Sequence, residues 1–407
     1  MTPSGMLATL IPVRDARERT IAYELRTHPL SGSAAGNIDD EARATLTLLQ
    51  RRDLLRAVRG KPLYVPVTPA VLRGGAITGF ASADVVFFLA SDALDDSDTL
   101  RALERYATAG FRFGFVGRVL TTTLPEPLSG APVAFDVGAL GGLTLANTVQ
   151  RLLDAGARPI ARQVDDRATR ERLRAAGVFA FTGRPLPRGR SASNDARPRV
   201  LSALSVLTAL ADGRPPDASF DAFVASDPVV SQSVLRATAS AAGGANKPRT
   251  LAHAFTLLGR DAMLERLVVA TAFLLGDCGG DAELPAIAIR RSRSLERLGG
   301  ALDRVGHQRA RALAGVLSVA DVATGLPPVV LSDELRAPPL LRDALVERRA
   351  PLGALLDVLE AHEYGWWDDL FARCAALGIA PAVVGDAWFE GWQHARLEVV
   401  ARTVSDA

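Results

Sequence analysis

The sequence predicts a protein of two domain classes: a modified β/α barrel (α/β) over residues 1–188 and an all-α domain over 199–407, joined by a linker at 189–198. Three observations carry this. The chain has 407 residues, and two domains of about 200 residues each fit the usual size range. Up to the linker, short β-type runs alternate with helical stretches; beyond it, strands vanish. Between the two lies PLPRGRSASNDARPR (185–199), rich in Pro, Gly, Ser and Arg as linkers are.

Eight runs read as short buried strands: LATLIPV (7–13), IAYELR (21–26), PLYVPV (62–67), DVVFFLA (84–90), FRFGFV (111–116), PVAFDVG (132–138), ARPIARQV (157–164) and VFAFTG (178–183). Helical candidates stand between them at 40–59, 98–109 and 165–176. The last begins with acidic residues and stops at Gly177, which suits the helix dipole and the need for a C-terminal breaker. Eight strands with intervening helices in under 200 residues suggest a compact barrel. The second half breaks into helices at 199–212, 217–226, 228–242, 249–258, 260–276, 283–305, 306–324, 332–336, 338–347, 351–363, 365–377 and 380–401, most of them bounded by Pro, Gly or Asp. The segment GGANKPR (243–249) reads as a helix connector.

Composition narrows the function. An apolar fraction of 48% and a charged fraction of 23% belong to a globular protein with a real core. A net charge of +2 gives no electrostatic case for nucleic-acid or membrane binding. The only lysines are Lys61 and Lys247, so little base or Schiff-base chemistry is available to lysine. Cys278 and Cys374 have no ligand spacing and read as buried free thiols in a reducing compartment. The N-terminus shows no basic leader, and the longest apolar run, LVVATAFLLG (267–276), is half of a bilayer span. The expected location is cytoplasmic.

The first half resembles the EAL domain, the cyclic di-GMP phosphodiesterase fold. The residues that carry the resemblance are Pro12 and Asp15 in LIPVRD and Tyr23-Glu24-Leu25 in IAYELRTHP. It continues through DTLRALERYATAGFRFGF and closes with PIARQVDDRATRERLRAAGVFAFTGRPLP, ending near Gly183. The second half resembles the HDOD domain, a non-catalytic relative of HD-type phosphohydrolases, through LSALSVLTAL, FVASDPVVSQSVLR and TLAHAFTLLGRDAMLERLVV. The tail segments RSRSLERLG, RARALAGVLSVADVATGLP and LRDALVERRAPLGALLDVLEAHEYGWWDDL look like proteins that join the two domains.

The EAL resemblance implies two divalent cations held by carboxylates and an asparagine, with a lysine assisting in-line hydrolysis. Position by position, Glu24 is retained. The asparagine becomes Pro66, a glutamate becomes Phe88, and the paired aspartates become Val116 and Gly117. The lysine becomes Ala134, although Asp136 remains, and two further glutamates become Arg162 and Asp165. An arginine that meets the nucleotide phosphate becomes His28. Glu24, Asp136 and Asp165 are thus vestigial positions, too few to neutralise two hard cations, and Arg162 adds repulsion. Glu24 then reads as a strand-end carboxylate bonded to backbone or water.

The second half has no His-Asp dipeptide; His253, His307, His362 and His394 are scattered without ligand spacing. Arg290, Arg293, Arg297, Arg304 and Arg311 recur at spacings that place them on one helix face, either salt-bridged with Glu296 and Asp303 or docking an acidic partner. Tyr364, Trp366 and Trp367, with Trp388, Phe389 and Trp392, read as mutual packing of the C-terminal helices or an exposed patch. The partner-binding candidates are Arg290, Arg293, Arg297, Trp366 and Trp367. The expectation is a signalling protein without enzymatic activity, metal or cofactor. It acts through contacts with other signalling proteins, its barrel a rigid and potentially dimerising platform, with cyclic di-GMP binding not expected. The alternative is a receptor that binds cyclic di-GMP or another nucleotide without cleaving it.

Overall fold

The computed structural model describes residues 5–30, 37–50, 58, 60–80, 84–117, 123–139, 142–184, 196–213, 231, 257–279, 283–301 and 307–405. The predicted linker at 189–198 and the helices at 217–226, 228–242 and 249–258 fall wholly or largely outside them, as do the connector at 243–249 and Arg304. The chain divides into two compact units, one of residues 1–186 with 363–367 and the other of 187–362 with 368–407.

The first unit is a closed barrel of eight strands in sequence order: β1 (Met6–Asp15), β2 (Thr20–Pro29), β3 (Leu63–Pro66), β4 (Val85–Ala90), β5 (Arg112–Val116), β6 (Pro132–Asp136), β7 (Arg158–Arg162) and β8 (Ala180–Phe181). Each coincides with one of the eight apolar runs. Strand β1 runs antiparallel to both of its neighbours, β2 and β8, whereas β2 to β8 are parallel in succession. The β1–β2 hairpin is tied by Asp15, whose carboxylate accepts the backbone N–H groups of Arg17 and Arg19 at 2.8 and 3.0 Å.

Around the barrel lie α1 (Ile38–Leu49), α2 (Pro69–Arg73), α3 (Ser97–Thr108), α4 (Gly142–Asp154) and α5 (Arg167–Ala175). Local chemistry starts several of them. Asn37, Asp96 and Asp166 each accept a backbone N–H of the first turn through the side chain, a cap that satisfies donors the helix cannot.

The barrel is filled, not hollow, along most of its length. Val13, Ala22, Tyr64, Val86, Phe88, Ala134, Ile160 and Ala180 form one buried cluster inside it. The Tyr64 and Phe88 rings stack with centroids 4.7 Å apart. Phe88 has room because its register partner on β5 is Gly114; a Cβ there would meet the Phe88 ring at 2.5 Å. Large beside small is how a closed barrel of this size fills its interior.

The second unit is helical. Its described helices are α6 (Ala196–Ala211), α7 (Arg260–Gly279), α8 (Leu284–Ala301), α9 (Gln308–Leu317), α10 (Ala320–Thr324), α11 (Pro328–Glu334), α12 (Pro339–Val346), α13 (Leu352–Tyr364), α14 (Trp367–Leu377) and α15 (Pro381–Ser405). The apolar run at 267–276 forms the middle of α7, where Leu267, Val268, Ala270 and Leu275 are buried. Helices α8, α9 and α15 approach closely because glycines stand at the crossings. A Cβ on Gly315 would overlap the backbone of Ser292, and one on Gly391 would meet Ser294 and the Arg290 carbonyl. Cys278 and Cys374 are buried free thiols. Among the described residues no single helix is long and apolar enough to cross a membrane.

Candidate functional site

The C-terminal ends of the parallel strands open into a cavity of about 420 Å³, walled by Glu24, Arg26, Tyr64, Phe88, Arg162 and Trp367 among others. Residues at the ends of several strands converge there because every strand from β2 to β8 points the same way, the end at which barrels of this architecture place their sites. All of its lining belongs to the first unit, including Trp367.

Glu24 is at the centre. Its Oε1 accepts from Arg162 Nη2 at 2.5 Å and from Arg26 Nε at 3.0 Å. Arg26 reaches it because residues two apart on a strand share a face; Arg162 arrives from the last position of β7. The three side chains are only 13–16% exposed. Burial pushes the Glu24 carboxyl up, but the charges of Arg162 and Arg26 outweigh it and hold the group below the usual carboxylate range. Arg162 also lies 3.7 Å from Asp136, at the end of β6, while its Nε has no hydrogen-bond partner among the described residues. Burial pushes the Tyr64 phenol up, so the ring stays neutral.

This corrects the reading of Glu24 as a strand-end carboxylate bonded to backbone or water. It sits within β2, opposite Ile11 and Tyr64, and its partners are guanidinium groups. Of the other sequence-predicted positions, Asp136 joins Glu24 through Arg162, whereas Asp165 does not: its carboxylate accepts the Arg184 backbone N–H at 2.8 Å. Pro66, Val116 and Ala134 line the cavity. At Gly117 a Cβ would overlap the Ser91 side chain, so the space beside that backbone is filled. Among the described residues no group of three or more His, Cys, Asp or Glu side chains is arranged to hold a metal ion.

The aromatic cluster of the sequence separates into two. In the helical unit Trp388 packs with His362 and Trp392, and Phe389 with Trp392, at centroid distances of 5.2–6.3 Å. In the barrel unit Arg184 lies over Tyr364 and Trp366, and His28 faces Trp367 at 5.8 Å. The segment is held by backbone acceptors: Thr9 Oγ1 donates to the Glu363 carbonyl at 3.2 Å and Arg26 Nη1 to the Tyr364 carbonyl at 3.3 Å. Arg26, Tyr64 and Trp367 were not singled out as cavity residues by the sequence. The strand period could have found Arg26; Trp367, more than 300 residues from β2, carries no local signal for its place.

On α8, Arg293 pairs with Glu296 at 3.3 Å and with Glu390 at 3.7 Å, Arg297 pairs with Glu390 at 3.3 Å, and Arg290 lies over the Trp388 ring. Arg311 is buried against Gly299, and burial lowers its pKa despite the neighbouring Glu296.

No family model and no curated protein matches the chain. Solved structures do. Klebsiella pneumoniae BlrP1 in a calcium and cyclic di-GMP complex is 14% identical, with a TM-score of 0.36, over 46% of this chain and 56% of that one. The PaMucR phosphodiesterase in complex with cyclic di-GMP is 15% identical, with a TM-score of 0.36, over 44% of this chain and 94% of that one. The EAL domain of Xanthomonas citri FimX, also with cyclic di-GMP, is 16% identical, with a TM-score of 0.34, over 44% and 85%. The chain thus spans about half the length of the first of these.

Two expectations are corrected here. The chain was expected not to be an enzyme, yet a protein similar to its barrel is described as a phosphodiesterase. At 14–16% identity a position-by-position transfer of metal ligands does not establish that activity is lost. Cyclic di-GMP binding was also not expected, yet all three structures hold that nucleotide. The mouth itself holds an open cavity with Glu24, Arg26 and Arg162 in its wall.

Proposed function

We propose that the chain is a regulatory protein of cyclic di-GMP signalling that takes the nucleotide at the barrel mouth and acts on other proteins through its helical unit, in a cytoplasmic setting. One observation supports this above the rest: the cavity of about 420 Å³ combines aromatic faces with guanidinium groups. A cyclic dinucleotide asks for both, since bases stack on rings and phosphates accept from arginine. Trp367 supplies a partly exposed ring above the buried Tyr64–Phe88 pair in the cavity wall; Arg26 and Arg162 supply the donors, and Arg162 Nε is uncommitted among the described residues. The resemblance to EAL motifs supplies the ligand class.

The donor set does not fit a pair of hard cations. Such ions need several carboxylate oxygens, whereas here Glu24 accepts from two guanidinium groups and Asp136 lies in the field of one of them. The nucleotide is accordingly read as bound by arginine and aromatic contacts. On the helical unit the partner-facing residues of this reading are Arg293 and Arg297, whose side chains remain 40% and 63% exposed while paired.

Equilibrium dialysis of labelled cyclic di-GMP against the full chain tests the proposal. Binding with a Kd of about 10 μM or tighter is expected, weakened about tenfold or more in Arg162→Ala and Tyr64→Ala. Undiminished binding by both variants would remove the mouth from the proposal. Product analysis of the dialysate reports turnover directly. For the helical unit, a protein captured by the full chain should be lost when Arg293 and Arg297 are both replaced by Glu.

A further inference from the structure

The cavity is lined by the carboxylates of Glu24 and Glu41 and by the guanidinium groups of Arg26 and Arg162, with Asp136 beside Arg162. Arg162 is 13% exposed and spans from Glu24, at 2.5 Å, to Asp136, at 3.7 Å. Charge holds this arrangement together: burial disfavours the charged form of Glu24, and the two arginines more than offset it. Their contributions differ. Arg26 approaches along β2 and is also anchored to the Tyr364 carbonyl. Arg162 crosses from β7 and alone touches both carboxylates.

We propose that Arg162 is the built-in cation of the barrel mouth: its guanidinium neutralises Glu24 and Asp136 together, so that the site excludes divalent ions, and its removal would turn the same two carboxylates into a cation site. The physical basis is competition for one set of oxygens. An incoming ion must displace a short charge-assisted hydrogen bond and tolerate a fixed positive charge a few ångströms away, a repulsion that low-dielectric surroundings magnify. With a neutral residue at 162, Asp136 loses its Arg162 ion pair and Glu24 keeps only Arg26. A hard cation accompanied by water ligands supplies the lost positive charge. The inference concerns how the mouth balances its charge and holds whether or not a nucleotide enters the cavity.

Manganese titration of the full chain tests it, read by water-proton relaxation and by the thermal unfolding of the barrel. Wild-type protein should take up no manganese that depends on Glu24, so that it and Glu24→Gln respond alike up to about 10 mM. Arg162→Gln should bind one ion with a Kd on the order of 10⁻⁴–10⁻³ M, as sites with few carboxylates do. Its transition should rise by about 3–5 °C at a tenfold excess over Kd. The double variant Glu24→Gln/Arg162→Gln should lose both effects. Should Arg162→Gln not fold, Arg162→Met, close to arginine in length and able to fill the same space, serves in its place. Glu24-dependent uptake by the wild type would overturn the proposal, as would a folded position-162 variant that binds no manganese.

Discussion

Glu24 is a buried carboxylate whose charge is balanced by two guanidinium groups. Replacing it with Gln leaves Arg162 and Arg26 buried with less compensation. The expected loss is about 3 kcal/mol at pH 7, the low end for removing one partner of a buried pair, because Asp136 still faces Arg162. The pH dependence follows from the lowered pKa. The stabilisation is fully present above the unfolded value of 4.5 and is lost as the pH falls through the folded value. Denaturant unfolding should therefore separate wild type from Glu24→Gln at pH 7, the gap narrowing as the pH falls below the unfolded value of 4.5. Gly117 offers a second residue-scale test. Introducing an aspartate there places a side chain where Ser91 already stands, so Gly117→Asp should destabilise the barrel by about 2 kcal/mol or more. Ser91→Gly should recover much of that loss, giving a strong coupling in a double-mutant cycle.

At the scale of elements, all eight strands of the barrel were legible in the sequence. Each is an apolar run set off by Gly, Pro or charged residues, and burial leaves little choice of conformation there. Their closure into a barrel followed from the alternation with helices. The place of 363–367 was not legible, because it depends on Thr9 and Arg26, which lie more than 330 positions away. The same holds for the mouth. The EAL resemblance pointed to Glu24, but not to the convergence of Arg162 and Arg26 on it. In the helical unit, α10 carries a further prediction. Burial pushes the Asp321 carboxyl up, only partly offset by the Val322 backbone N–H and by Arg291. A raised folded pKa means that the contribution is fully present below the unfolded value and is lost as the pH rises through the folded one. Asp321→Asn keeps an acceptor for that N–H and removes the charge. It should stabilise the helical unit by about 0.5–1 kcal/mol at pH 7.5, with no gain near pH 3, as measured by thermal unfolding.

Across the whole molecule, the two units differ in what holds them: a strand-paired barrel with an ion-paired mouth, and helices packed at glycine crossings. Both thiols lie in the helical unit, so they report on it alone. Burial pushes the Cys374 thiol up to about 11 and raises Cys278 as well. Neither should react with a thiol reagent at pH 8 until that unit opens, and the labelling rate should then follow its opening free energy. The central claim concerns the other unit: its mouth takes a cyclic dinucleotide by arginine and aromatic contacts, with no divalent ion required. Calorimetric titration of cyclic di-GMP into the full chain, once with magnesium and once with EDTA, tests this most directly. The account predicts saturable binding of the same affinity in both, at a Kd of about 10 μM or tighter. No heat in either, or binding that vanishes with EDTA, would contradict it.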